Sequence, residues 1–340
     1  MLKAEYKPYT LKFKTPGGTS RGVLTQKSGW FIYLYHANNP LKKGIGECSI
    51  LPKLSPDDKP GIEDKIKFVC ENIDSLQDRY HEVLKDWPAV RFAVETAMID
   101  LKGSKSGILY PSDFTQGKCG IPINGLIWMG TIDYMLQQIE DKIEAGFTCL
   151  KMKIGALDFE AEYKILQQLR KRFSKEFLEL RVDANGAFTP AEAPGILERL
   201  AKLDIHSIEQ PIMAGQWQEM ALLCENTPLP IALDEELIGV FEIDEKRKLA
   251  ETIRPQYLIL KPGLLGGFKA SLEWIEVANQ INAGWWVTSA LESNIGLNAI
   301  AQWTFTLNNP MPQGLGTGQV FTNNVTVPLF IKNGQLWRHA

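Results

Sequence analysis

Between residues 148 and 263 of this 340-residue chain, five short β-rich runs each end on an ionisable residue, at nearly constant intervals through the last four. The runs are TCLKMKI, FLELRVDA, IHSIEQP, PIALDEE and YLILKPG, and the residues at their ends are Lys153, Asp183, Glu209, Asp234 and Lys261. Asp183 to Glu209 is 26 residues, Glu209 to Asp234 is 25 and Asp234 to Lys261 is 27, room each time for one strand, one helix and two loops. Such a period restricts the chain to parallel strands joined by crossover helices. With INGLIWM before them and GWWVTSA and PQGLGTG after them, there are eight strand candidates, the last continuing as β in VFTNNVTVPLF and not into a helix, which suits a TIM-like (β/α)7β barrel. A doubly wound open sheet is the rival. The barrel is favoured because the polar strand ends gather at one rim, where barrel enzymes build their sites.

The first part of the chain has a different texture. From Tyr6 to about Ile50, alternating runs such as YTLKFKT and WFIYLYH are separated by Gly17-Gly18 and by KSG at 27–29, which predicts an antiparallel meander. IEDKIKFVCENIDSL and WPAVRFAVETAMIDLKG then space apolar residues three and four apart, as amphipathic helices do, the second ending at Gly103. The expected organisation is an α+β unit at 1–115 and a barrel at 116–319, with the tail 320–340 contributing to the first unit.

Composition narrows the partners. A hydrophobic content of 44% suffices for one large core and a smaller one, and a net charge of −3 makes no electrostatic case for nucleic acid or an anionic membrane. A small molecule is the expected partner. Cys48, Cys70, Cys119, Cys149 and Cys224 are odd in number and contain no C-x-x-C pair, so neither a disulfide framework nor a zinc site is suggested. MLKAEYKPYT has no apolar signal core and no stretch approaches a membrane span, so a cytoplasmic protein is expected.

The rim residues imply chemistry. Alternation along a strand turns Lys151 and Lys153 to the same side, into the barrel mouth. Three carboxylates from adjacent strands would converge there, and in a low dielectric they repel one another unless compensated. All-oxygen donors with no His or Cys nearby point to a hard divalent cation, Mg²⁺ before Mn²⁺ or Ca²⁺. A second ammonium and a cation nearby disfavour protonation of Lys153, as a general base requires. Lys261 is expected across the cavity from it. His36, His81, His206 and His339 lack metal or triad spacing, and Trp285 and Trp286 read as barrel packing, one of them a candidate border of the pocket. GLGTG at 314–318 fits a rim loop facing a carboxylate better than a dinucleotide loop, because no strand-glycine-helix order follows.

In combination, KMK at 151–153, VDANGAF at 182–188, IEQP at 208–211, LDEE at 233–236 and LKPG at 260–263 resemble the enolase superfamily, in its muconate-lactonising branch. Within that branch, SALESNIG at 289–296 followed by GLGTGQVF at 314–321 is most similar to the o-succinylbenzoate synthase family. The resemblance implies that Asp183, Glu209 and Asp234 hold Mg²⁺, that Lys153 is the catalytic lysine tuned by Lys151, and that Lys261 is the lysine on the opposite face. It further implies that Asn185 and Glu235 lie beside the metal cage and that Ser289 and Gly316 contact a carboxylate substrate. The first unit becomes a cap, whose loops near Gly17 to Arg21 and Cys48 to Leu51 close over the site. The implied activity is a hydro-lyase reaction, the Mg²⁺-dependent loss of water from a cyclohexadiene carboxylate by proton abstraction and a metal-stabilised enediolate. The nearer rival is a racemase of N-acylamino acids or an epimerase of dipeptides from the same superfamily; the distant one is a noncatalytic binding protein on a barrel scaffold.

Overall fold

The computed structural model describes residues 1–19, 22–156 and 158–340. Strands β1 (Leu2–Thr19), β2 (Gly22–His36) and β3 (Asn39–Ser49) form an antiparallel sheet in the order β1-β2-β3. Both expected turns are displaced. Gly17 and Gly18 belong to β1 and pair with Leu24 and Val23, and the ladder runs on to Thr19 opposite Gly22; Ser20 and Arg21 of the expected closing loop lie outside the described residues. KSG lies inside β2, and the second turn falls at Ala37 and Asn38. Gly29 serves close approach there, because a Cβ would stand 2.5 Å from the Cys48 carbonyl and 2.7 Å from the Tyr9 hydroxyl.

Helices α1 (Ile62–Leu76), α2 (Tyr80–Val83) and α3 (Pro88–Lys102) cover this sheet. Pro88 opens α3, where a missing N–H costs nothing, and Gly103 follows its last turn. Ile32 and Leu34 of β2 pack with Ile66, Val69 and Ile73 of α1 and with Val90, Ala93 and Ala97 of α3 in a core of their own. α3 is buried on nearly every side because it also faces the barrel. Its approach to β3 depends on glycine: a Cβ on Gly46 would collide with the Ala93 carbonyl, and one on Gly44 with that of Ala97. Gly46→Ala is therefore expected to destabilise the protein by about 1–3 kcal/mol through overpacking, read as a lowered urea midpoint.

After β4 (Ile121–Pro122), seven parallel strands follow in sequence order: β5 (Gly125–Ile127), β6 (Cys149–Lys153), β7 (Glu179–Asp183), β8 (Ser207–Glu209), β9 (Ile231–Leu233), β10 (Tyr257–Leu260) and β11 (Gly284–Val287). Their alternation is regular. Leu150, Met152, Leu180, Val182, Ile208, Leu258 and Leu260 join the core under the helices, while Lys151, Lys153, Arg181, Asp183, Ser207 and Glu209, of opposite parity, face the barrel interior. Ala232, Ile259 and Trp286 pack together on that inner side, with the Arg181 guanidinium 4.1 Å from the Trp286 ring centre. Trp285 is partly buried against the helices.

The eighth expected strand is reduced to single bridges. Gln313 pairs with Ile123 and Gly314 with Thr288, and the chain then coils into a one-turn helix at Gly316–Gln319. Pro310 and Pro312 supply no N–H for a ladder and the glycines have no side chain to pack, so PQGLGTG closes the ring without forming a strand. Closure is by backbone bonds, from Gly314 N to Val287 O at 2.8 Å on one side and from Asn124 N to Gln313 O at 3.0 Å on the other. The tail divides: Lys14 N donates to Val320 O and Thr322 N to Lys12 O, both at 2.8 Å, along β1, whereas β12 (Leu329–Lys332) and β13 (Gln335–Arg338) form a ladder with β4. Among the described residues no helix is long and apolar enough to cross a membrane.

Candidate active site

The strand register sets the rim. Lys153, Asp183 and Glu209 occupy the ends of β6, β7 and β8 and pair in one row, Lys153 with Asp183 and Asp183 with Glu209. Asp234 and Lys261 come one residue past β9 and β10. The three carboxylates are essentially inaccessible to water. They are not left uncompensated, as strand spacing alone implied. Lys151 Nζ lies 3.0 Å from Asp183 Oδ2 and 2.6 Å from Glu209 Oε2, Lys153 Nζ lies 2.7 Å from Asp183 Oδ2, and Lys261 Nζ is paired with Asp234 and stands 3.8 Å from Glu209 Oε1. The lysines that point into the mouth are long enough to reach the carboxylates of the neighbouring strands, and in a buried site they pair with them. The anticipated juxtaposition of Lys151 and Lys153 is thus mediated by Asp183, which accepts from both.

Electrostatics follow from that arrangement. Burial opposes the Lys151 ammonium, but Asp183 and Glu209 outweigh it and hold its pKa above the usual lysine value. Lys261 is raised in the same way, burial being outweighed by Asp234 and Glu209. For Asp183, burial disfavours the anion, yet Lys151 and Lys153 hold it well below the ordinary carboxylate range. Glu209 goes the other way, raised by burial and by the Asp183 charge, and Asp234 is raised chiefly by burial.

Neighbouring groups hold these side chains in place. Asn185 adopts a left-handed backbone (φ 45°), its N–H donates to Asp183 Oδ1 at 3.1 Å, its Oδ1 accepts from Lys153 at 2.6 Å and its Nδ2 donates to Glu235 Oε1 at 3.0 Å. Gln210 was not singled out from the sequence, although IEQP contains it. It is fully buried, accepts from the Asp234 and Glu236 N–H groups at 3.2 and 3.3 Å, and donates to Glu236 Oε2 at 3.1 Å, so it fixes the turn that carries Asp234. The following proline in IEQP, which biases Gln210 away from helix, was the only sequence signal of such a turn.

The rim opens into a cavity of about 310 Å³ lined by Lys151, Lys153, Asn185 and Lys261 below, by Thr288, Ser289, Gly314, Gly316 and Thr317 on the closing side, and by Leu24, Leu51 and Leu54 above. Lys153 and Lys261 belong to β6 and the end of β10, with three strands between them, so they flank the cavity from opposite sides. Ser289 and Gly316 both line it, and Ser289 Oγ lies 2.5 Å from Thr317 Oγ1. Neither Trp285 nor Trp286 lines it. Leu51 lies within the expected closing segment and Thr317 within the expected rim loop GLGTG, whereas Leu24, Leu54 and Trp128 carry no signal in the sequence, since single apolar residues have no chemical signature.

The upper wall is bolted to the barrel. The Lys27 ammonium, buried and lowered to about 8 mainly by that burial, donates to the carbonyls of Ala290 and Leu291 at 2.6 Å each. Glu47 accepts from Ser293 N at 2.7 Å, Ser293 Oγ at 2.5 Å and Gly296 N at 2.8 Å. On the far side of α3, Arg91 Nε donates to Gly266 O at 2.6 Å and Glu95 accepts from Phe268 N at 2.6 Å, gripping the turn that follows Lys261.

The donor chemistry fits a hard divalent cation. The set is three buried carboxylates, and Glu209 Oε1 is buried without a hydrogen-bond partner. As the side chains stand, no three His, Cys, Asp or Glu groups among the described residues enclose an ion, because Lys151 and Lys261 occupy the spaces between the carboxylates.

The chain belongs to the enolase superfamily: the family model described as "Enolase C-terminal domain-like" matches residues 134–338. More particularly, it is 46% identical to the o-succinylbenzoate synthase of Desulfotalea psychrophila, over 98% of this chain and 98% of that protein. The crystal structure of MenC from Desulfotalea psychrophila superposes with a TM-score of 0.85 at 43% identity, covering 99% of each chain. A dipeptide epimerase from Enterococcus faecalis, complexed with Mg and the dipeptide L-Leu-L-Tyr, also reaches a TM-score of 0.85, covering 100% of this chain and 97% of its own. At 19% identity that likeness speaks for the fold alone.

Proposed function

We propose that the protein is an o-succinylbenzoate synthase, a hydro-lyase of menaquinone biosynthesis that converts 2-succinyl-6-hydroxy-2,4-cyclohexadiene-1-carboxylate to 2-succinylbenzoate and water. The reaction class is carried by one observation, two lysines, Lys153 and Lys261, that line one cavity from opposite sides while each pairs with a buried carboxylate, Asp183 and Asp234. The choice of substrate over an amino acid or dipeptide is supported by the full-length relative at 46% identity, against 19% for the epimerase.

Asp183, Glu209 and Asp234 would hold Mg²⁺, or Mn²⁺ in its place. Such an ion supplies positive charge beside the substrate carboxylate as the enediolate charge develops. The neutral amine of Lys153 takes the proton on the carbon next to the carboxylate. The resulting ammonium then gives that proton to the leaving hydroxyl on the same ring face, so the C–O bond breaks, water departs and the ring becomes aromatic. Lys261, as an ammonium on the opposite side, steadies the developing negative charge without transferring a proton. Asn185 and Glu235 orient Lys153 through their hydrogen bonds, Lys151 holds Asp183 and Glu209 together, and Ser289 and Gly316 meet the substrate at the closing side. Residues 1–115 with the tail 320–340 would act as a cap over the catalytic barrel of 116–319, in the cytoplasm.

The test is formation of 2-succinylbenzoate from the cyclohexadiene carboxylate with Mg²⁺ and after exhaustive chelation. Turnover is expected only with the metal. Full activity in the chelated sample would remove the ion from the mechanism, and a failure to form product in either sample, with racemisation of an N-acylamino acid instead, would favour the epimerase reading.

A further inference from the structure

A second cavity of about 400 Å³ lies behind one wall of the first, between Phe13–Pro16 of β1, the helix Ile132–Glu144 and the segment 316–320. The two cavities share Asn124, Leu126, Trp128, Gly316 and Thr317. Trp128 is the largest of the five. Its backbone is held on both sides by Gln138, whose Oε1 accepts from Trp128 N at 2.9 Å and whose Nε2 donates to Trp128 O at 3.1 Å. Its ring lies against β1, so close that a Cβ on Gly17 would stand 3.2 Å from it. Backbone and ring are therefore both fixed, and the indole stands as a panel between two spaces.

The position of that panel in the ring of strands gives it a role. The shared wall is made by β5 and the bridging segment around 313–317, on the opposite side of the barrel from β8 and β9, which lead to Glu209 and Asp234. If the reacting carbon sits between Lys153 and Lys261 and the acid group faces Glu209 and Asp234, as in the function proposed above, the far arm of the substrate would extend toward Trp128. Beyond the panel the lining is mixed: Phe13, Pro16 and Phe147 are apolar, and its charged groups are two lysines, Lys14 and Lys142, against one carboxylate, Asp141, which already accepts from Gln137 at 2.7 Å. That balance suits an anionic arm terminus.

We propose that Trp128 determines specificity by limiting the length of the substrate's acyl arm, and that the space behind it is a subsite for a longer arm ending in a carboxylate. The assignment rests on the functional reading above. Its test is calorimetric binding, with Mg²⁺ present, of 2-succinylbenzoate and of its homologue 2-adipoylbenzoate, whose arm is two carbons longer. The wild type is expected to prefer the succinyl compound by tenfold or more. In Trp128→Ala the two cavities join and that preference should fall by at least tenfold, the gain coming from tighter binding of the longer compound; Trp128→Phe keeps a ring in the wall and should keep the preference. If Trp128→Ala does not unfold cooperatively, Trp128→Leu carries the same comparison. A wild type that binds 2-succinylbenzoate, with variants that bind the longer homologue no better than it does, overturns the partition alone. A wild type that binds neither compound overturns the functional reading and this assignment with it.

Discussion

Lys153→Ala is expected to lower turnover by roughly 10²- to 10⁴-fold, the range for loss of a positioned general base. Lys261→Ala should cost 10²- to 10³-fold, typical of removing one charge-stabilising donor, so the two variants look alike in a simple assay. Proton exchange separates them. On a substrate analogue without the leaving hydroxyl, incubated in D₂O with Mg²⁺, Lys261→Ala should retain slow exchange of the proton next to the carboxylate, and Lys153→Ala should lose it. Lys153→Arg is an informative companion: a guanidinium keeps a positive partner for Asp183, which now lies 2.7 Å from the Lys153 ammonium, but does not release a proton near neutral pH. It should therefore bind Mg²⁺ like the wild type and still fail to exchange. Exchange that survives in Lys153→Ala and vanishes in Lys261→Ala would reverse the two roles.

Glu209→Gln is the second large effect. Glu209 offers one carboxylate oxygen to Lys151 at 2.6 Å and has the other buried without a hydrogen bond. In the proposed cage, neutralising it would remove one ligand charge and weaken the grip on Lys151 in the same step. Changes to groups that merely support a metal ligand cost about 10- to 100-fold in metal affinity, so losing a ligand should cost at least that. Titration of the variant with Mg²⁺ by calorimetry, alongside kcat at saturating metal, is the measurement. Normal affinity with normal kcat would put Glu209 outside the cage.

The expected turns illustrate how far local signals reach. KSG has the composition of a turn, yet it lies in the middle of β2 because Gly29 admits the Tyr9 ring and Lys27 reaches into the barrel rim. The place of PQGLGTG in the repeat suits a strand, yet its prolines and glycines reduce it to two bridges. Composition reports which backbone conformations are accessible; whether a glycine turns the chain or makes room for a neighbour depends on what packs against it.

That β5 to β11 recur as parallel strands, five of them leading to an ionisable residue, is legible in the local chain. A period of two within each strand and of about 26 residues between them are properties of the local chain, and no distant contact is needed to read them. Their order around the ring, and how the strand ends compensate one another, follow from the folded arrangement. The pairing of Lys151 with Asp183 and Glu209, and of Lys261 with Asp234, joins strands that are separate in sequence and depends on side-chain reach across the barrel mouth. Lys27 on the Ala290 carbonyl and Arg91 on that of Gly266 bridge 263 and 175 residues. Trp128 as a wall between two cavities belongs to the same class, because a cavity is the space left by elements that meet only when the chain has folded, and no single segment encodes it.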